Sequence, residues 1–186
     1  MTEISTVLRG KVYVLGDNID TDQILTAEYL KINPASDEGR HQLATLAMCG
    51  LPSGSLPFID PLTGRSAYEF IMARDNFGCG SSREHAVVAL GASAVKAVIA
   101  HSFARIFFRN CIATGQLMPV TLQPDYSVEG VKTGDIIEID TTSHQIMTPH
   151  RSLKIAPVGE LAGIVAAGGL FAYARLVGKI VANIHD

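Results

Sequence analysis

Asn76-Phe77-Gly78-Cys79-Gly80-Ser81-Ser82-Arg83-Glu84-His85 gathers a thiol, two hydroxyls, a guanidinium, a carboxylate and an imidazole into ten consecutive residues. An apolar run, Ala86-Val87-Val88-Ala89-Leu90, follows at once, so the spacing predicts a helix from Ser82 to about Gly91. A glycine turn that opens a helix leaves backbone N–H groups unpaired at the positive end of the helix dipole, which suits an anion. Arg83 adds a planar fork of donors matched to a carboxylate. The stretch is suited to holding a small, negatively charged molecule beside one or two serine hydroxyls. Ser81 and Glu84 also stand at the capping-box spacing, so Ser81 is alternatively a helix cap. The two readings are compatible, because a capping serine can still expose its oxygen. Rival glycine motifs fail: there is no Gly-Lys-Ser/Thr of a phosphate loop, and Arg83 stands where a dinucleotide fingerprint needs its third glycine. Ser82 lacks the second glycine of a hydrolase elbow.

Other chemistry-bearing residues are sparser. Asp17, Asp20 and Asp22 fall within one polar loop, Gly16 to Asp22, which reads as a solvated turn, since the glycine and terminal glutamate of a calcium loop are not at the required offsets. Cysteines stand at 49, 79 and 111, with no Cys-x-x-Cys pair. That spacing is poor for a zinc ribbon or for an iron–sulfur cluster held by this chain alone, and a structural disulfide is not expected in a reducing compartment. Cys49 and Cys111 read as small buried side chains; Cys79 stands apart by lying in the glycine turn. His144 and His150 flank a turn-like segment and do not by themselves define a metal site.

Composition bounds the setting. The chain has 186 residues, 47% of them hydrophobic and 18% charged, with a net charge of −3. That fits one folded domain, residues 1–186, with a real core. Without a basic cluster, nucleic acid is not the expected partner. The longest apolar stretch, Leu161 to Ala174, has 14 residues and three glycines, too short to span a bilayer. Met1 to Ser5 has an acid where a signal peptide needs lysine or arginine, so a cytoplasmic protein is expected.

Elements must position the turn. Val7 to Leu15 reads as a strand and Ile24 to Ile32 as a short element. Residues 34–65 form a loop-rich excursion with one helix near His41 to Met48, able to reach over a site or a partner. Tyr68 to Met72 and Lys96 to Ala100 read as buried strands. Ser102 is placed to cap a helix from Phe103 to about Thr114. Strand and helix alternating at this spacing imply βαβ units, an α/β fold and a parallel sheet. In such sheets ligands gather beyond the carboxyl ends of the strands, where the Gly78–Arg83 turn falls. Leu117 to Leu122, Asp135 to Ile139, Gln145 to Thr148 and Leu153 to Ile155 read as short antiparallel strands, and Gly159 to Val177 as helix broken at Gly168-Gly169.

Taken in order, Gly16-Asp17-Asn18-Ile19-Asp20-Thr21-Asp22-Gln23-Ile24, Tyr29-Leu30-Lys31, Phe77 to Ala86, Ala104-Arg105-Ile106-Phe107-Phe108-Arg109-Asn110 and Gly168 to Ala174 resemble the small subunits of 3-isopropylmalate dehydratase. These are stand-alone versions of the swivelling domain of aconitase. The resemblance runs from about Lys11 to Gly178. It implies a three-layer β/β/α domain with a mainly parallel sheet. It also implies a partner large subunit carrying a [4Fe-4S] cluster, with no cofactor or metal on this chain, and dehydration followed by rehydration of a small hydroxy diacid. On this resemblance Ser81 is the catalytic base, acting as an alkoxide, and Arg83 binds a substrate carboxylate. Ser82, Asp22 and Thr21 face the substrate; Gly78, Gly80 and His85 support the turn. Arg105 is either a site residue or a structural ion-pair partner. Lys31 lies on the loop that senses the substrate's variable side chain. There its ammonium suits a second carboxylate, as in homoaconitate, while its stem suits an alkyl group. Isopropylmalate is the expected substrate, with 2,3-dimethylmalate, citramalate-type acids and homoaconitate as alternatives. A non-catalytic anion-binding or assembly module on the same fold is the remaining alternative.

Overall fold

A computed structural model describes residues 7–179. The order is β1 (Val7–Val14), α1 (Thr21–Ile24), a 3₁₀ segment (Ala27–Lys31), α2 (Asp37–Thr45), β2 (Ile59–Asp60), β3 (Arg65–Ser66), β4 (Phe70–Met72), α3 (Glu84–Ala92), β5 (Ala97–Ala100), α4 (Arg105–Thr114) and β6 (Met118–Thr121). There follow β7 (Ile136–Asp140), β8 (Gln145–Met147), β9 (Ser152–Lys154), α5 (Leu161–Ala166) and α6 (Leu170–Leu176).

Seven strands form one sheet in the order β6-β5-β4-β1-β7-β8-β9. The four from β6 to β1 run parallel, and β7 to β9 continue antiparallel from the other edge of β1. The residues explain the division. Every residue of β4 and β5 is buried, as in strands covered on both faces, whereas β7 alternates between buried and accessible positions, as in a sheet with one wet face. The sheet curls until its ends meet. Leu122 bridges Ile155, Gln123 donates to the Lys154 carbonyl at 3.0 Å, and Ala156 donates to that of Thr121 at 2.8 Å.

Two cores result. Ile71 and Val98 face the helices and pack with Leu43, Val87, Leu90 and Phe107. Phe70, Met72 and Ile99 face inward and pack with Ile137, Ile139, Ile146, Leu153 and Ile155. The layers are helices, parallel strands and antiparallel strands, the expected β/β/α arrangement. Helix α3 buries Ala86 through Leu90 without interruption, which a helix does only when it is enclosed on most sides.

Several expectations are corrected. β6 pairs parallel to β5, with Pro119 opposite Val98; its buried run Met118-Pro119-Val120 has the continuous pattern of a parallel strand, and proline is tolerated at an edge. Helix α2 begins at Asp37, capped by Ser36, whose side chain accepts from Gly39 N. It stops at Thr45, because Met48 adopts φ +62° and donates to the Ile24 carbonyl. Helix α3 begins at Glu84, so Ser81 is not its cap; Arg83 holds the cap position without a side-chain capping bond. Ser102 does not cap α4, which starts at Arg105. It instead accepts from Asn76 N and donates to Asp75 Oδ1. Cys111 is buried but Cys49 is exposed, on the turn that leaves α2. No helix among the described residues is long and apolar enough to cross a membrane. The expectation drawn from Met1 to Ser5 falls outside the described residues.

Candidate active site

The loops beyond the carboxyl ends of β1, β4 and β5 meet at one edge of the sheet. A parallel bridge joins Asp20 to Cys79 and another joins Phe77 to Phe103. Gly78 donates to the Ile19 carbonyl at 2.7 Å and Thr21 to that of Cys79 at 2.8 Å. Asn18 and Asn76 both take positive φ, a conformation asparagine tolerates, and their side chains are joined at 2.9 Å. The polar loop after β1 is therefore no free solvated turn. Asp20 caps α1 in a capping box with Gln23, and that Asp-x-x-Gln spacing was the signal that could have revealed α1.

This scaffold brings Thr21, Asp22, Ser81 and Arg83 together. Gly78 and Gly80 take φ +77° and +92°, which turns the chain back toward the loop after β1. Ser81 and Ser82 emerge exposed. Ser81 donates its N–H to Thr21 Oγ1 at 3.2 Å, and the two hydroxyl oxygens are 3.4 Å apart. Thr21 is buried, at 2% exposure. Arg83 folds inward: one guanidinium nitrogen donates to Asp22 Oδ1 and to the Leu25 carbonyl, the latter at 2.8 Å. Its side chain is only 10% exposed, against 60% for Asp22, and its buried Nε has no partner among the described residues. Asp22 is thus occupied with Arg83 in this geometry. Two residues further on, His85 Nε2 bonds the Ile32 carbonyl at 2.9 Å.

Other residues named from the sequence lie further out. Lys31 is exposed and borders a surface hollow of about 370 Å³ that it shares with Asn33, Ser36 and Gln42. Arg105 is exposed on the first turn of α4. It has no ion pair among the described residues. No three His, Cys, Asp or Glu side chains come together to hold a metal among the described residues. Partial burial and the carboxylate of Asp20 push the Cys79 thiol up, the direction opposite to that of an activated nucleophile. Sequence reasoning missed the role of Asn18, Asp75, Asn76 and Ser102, whose bonds knit the loops.

The Arg83 hydrogen bond and charge hold the Asp22 carboxyl below its ordinary value. A depressed folded-state pKa contributes stability above the unfolded value, and that contribution is lost as pH falls through the folded one. Asp22→Asn should therefore be less stable than wild type at neutral pH. The gap should close as pH falls below about 4, read from urea midpoints of both proteins across the acid range. A gap that stayed constant with pH would mean that the pair contributes nothing through its charge.

A glycine turn and a largely covered arginine side chain are set beyond the parallel strands of a closed β/β/α domain, and comparison with known proteins places such a domain in the aconitase class. Residues 63–125 match the aconitase C-terminal domain family. The chain is 47% identical to 3-isopropylmalate dehydratase small subunit 3 of Arabidopsis thaliana, over 92% of this chain and 70% of that protein. It is 37% identical to a methanogen homoaconitase small subunit of Methanocaldococcus jannaschii, over 91% of this chain and 92% of that one. A crystal structure of 3-isopropylmalate dehydratase from the same organism matches with TM-score 0.72 and 36% identity, covering 94% of this chain and 96% of that chain. The chain belongs to the family of 3-isopropylmalate dehydratase small subunits.

Proposed function

We propose that this chain is the proton-abstracting subunit of a two-subunit hydro-lyase that interconverts 2-isopropylmalate and 3-isopropylmalate, a step of leucine biosynthesis. The observation that carries the site reading is the exposed Ser81 hydroxyl two residues before a guanidinium whose buried Nε–H has no partner among the described residues. A buried donor left without a partner costs about 1–3 kcal/mol, and a substrate carboxylate on Arg83 would remove that cost. Ser81 takes the proton from the carbon next to a carboxylate; the electron pair becomes the double bond, and hydroxide leaves the neighbouring carbon to be protonated to water. Addition in the reverse sense, water to one carbon and the proton from Ser81 to the other, completes the exchange.

An alkoxide needs a desolvated setting with positive neighbours. Ser81 is exposed in the chain alone, so its activation requires a partner that covers the turn. The described residues supply no ligand set for a cluster; the [4Fe-4S] group and the departure of the hydroxide are assigned to a large subunit. Ser82 faces the substrate, Thr21 supports Ser81 from beneath, Lys31 reads the variable side chain, and Asp22 orients Arg83. Isopropylmalate is preferred over a homoaconitate-type acid because the plant dehydratase subunits are more similar to this chain than the homoaconitase subunit is.

Purified alone, the chain should be colourless, free of iron and inactive; reconstituted with a large subunit, it should turn over isopropylmalate ahead of other hydroxy diacids. Iron analysis, visible absorption and a substrate panel check this. A stoichiometric cluster on the isolated chain would overturn the two-subunit reading.

A further inference from the structure

The 3₁₀ segment that carries Lys31 is held at both ends by residues of the glycine turn's helix. Arg83 donates to the carbonyl of Leu25, just before the segment, at 2.8 Å. The ring of His85 bonds the carbonyl of Ile32, just after it, at 2.9 Å. A carbonyl oxygen only accepts, so the His85 ring carries a proton on Nε2. Between these anchors the segment is held by its own 3₁₀ bonding and by the flanking bonds Tyr29 N to the Thr26 carbonyl and Ile32 N to that of Tyr29. The Thr26 hydroxyl on Glu28, the Ala27 N–H on the Asp22 carboxylate and packing of Tyr29 and Ile32 against the core add to this. Apart from the local Tyr29 bond, His85 supplies the hydrogen bond at the Ile32 end. Both anchoring side chains belong to the start of α3, whose next five residues are all buried. Arg83 at the cap and His85 in the first turn are therefore anchored to one rigid helix.

We propose that His85 is a positioning residue for substrate choice: its bond to Ile32 fixes Lys31 at a set distance from the catalytic turn. This rests on the reading of Lys31 as the side-chain sensor. The Arg83 anchor lies at the far end of the segment, before Thr26, while His85 holds the residue next to Lys31. Loss of the Ile32 bond frees the end that carries the ammonium and leaves Ser81 and Arg83 where they are. The consequence is specific: discrimination between diacids suffers and the chemical step does not.

The test uses the reconstituted two-subunit enzyme and three variants. His85→Leu removes the donor and keeps bulk. His85→Gln places an amide N–H at about the reach of Nε2. Lys31→Val removes the sensor. For each, kcat/KM is measured for isopropylmalate and for a tricarboxylic homologue, together with amide hydrogen exchange of residues 26–32 in the isolated chain. His85→Leu should shift the ratio of the two kcat/KM values by roughly tenfold, the equivalent of one hydrogen bond, with kcat on the better substrate little changed. Exchange of the segment should rise by a similar factor, and His85→Gln should restore both. A ratio unmoved in His85→Leu, or moved equally in His85→Leu and His85→Gln, overturns the proposal. If Lys31→Val leaves the ratio unchanged, the sensor reading fails. Exchange in the isolated chain still reports whether His85 holds the segment.

Discussion

Ser81→Ala should leave the reconstituted enzyme folded, assembled and able to bind substrate, with kcat reduced by ~10² to 10⁴ or more. The geometry separates this loss from a structural one. Helix α3 starts at Glu84 and is not capped by Ser81, so removing the hydroxyl does not cost the ~1 kcal/mol that deleting a cap side chain costs. The Ser81 N–H, which bonds Thr21 Oγ1 at 3.2 Å, survives in alanine. Thr21 Oγ1 accepts that N–H, and its own proton is free to point at the Ser81 oxygen 3.4 Å away, so Thr21 is placed to stabilise charge developing there. Two measurements decide: steady-state kinetics of the complex and the urea midpoint of the isolated subunit. Near-normal kcat would remove Ser81 from the chemistry. A lower midpoint with unchanged kcat would make it a structural residue after all.

The parts of the molecule legible in the sequence are those governed by local pattern. Phe70-Ile71-Met72 and Ala97 to Ala100 are unbroken apolar runs, which only doubly covered strands need, and the glycine turn between them announces its own place at a strand's carboxyl end. What escaped is set by distant contacts. Whether Ser81 or Ser102 caps a helix depends on where that helix begins, and the Asp20–Cys79 and Phe77–Phe103 bridges decide that. Those bridges hold both serines short of the first helical turn. Asn18 bonds Asn76 across 58 positions and Asp22 bonds Arg83 across 61; neither has a local signature. The direction of β6 could have been read from its continuous burial pattern, but shortness made it look like its antiparallel successors. The Arg83 fork was expected to face a ligand. In the chain alone its charge draws in the nearest carboxylate, that of Asp22.

Gly78→Ala should be among the most destabilising single substitutions in the described chain, because two independent costs fall on one methyl group. Gly78 takes φ +77°, a left-handed conformation that costs an L-residue about 1–2 kcal/mol. An added Cβ would also lie 2.2 Å from Phe107 Cγ and 2.5 Å from Phe107 Cβ. That is the root of the aromatic side chain and not a flexible tip. Phe107 has little room to retreat: it is 2% exposed, edge-on to Phe77 at 5.2 Å and stacked with Phe103 at 6.4 Å. Overpacking of this kind costs about 1–3 kcal/mol, so the two together approach 2–5 kcal/mol out of the ~5–15 kcal/mol that holds a domain folded. Gly80→Ala is the internal control. Its φ is +92°, but the nearest atom to its Cβ is Thr21 Oγ1 at 3.2 Å, so it should show mainly the backbone cost. Urea midpoints of Gly78→Ala, Gly80→Ala, Phe107→Leu and the Gly78→Ala/Phe107→Leu pair close a double-mutant cycle. The Gly78→Ala penalty should shrink in the Phe107→Leu background. Equal penalties at the two glycines would mean that Phe107 yields and that the aromatic cluster does not set the height of the turn. A larger penalty at Gly78, partly relieved by Phe107→Leu, would show that α4 holds the turn from below while the loop after β1 holds it from the side.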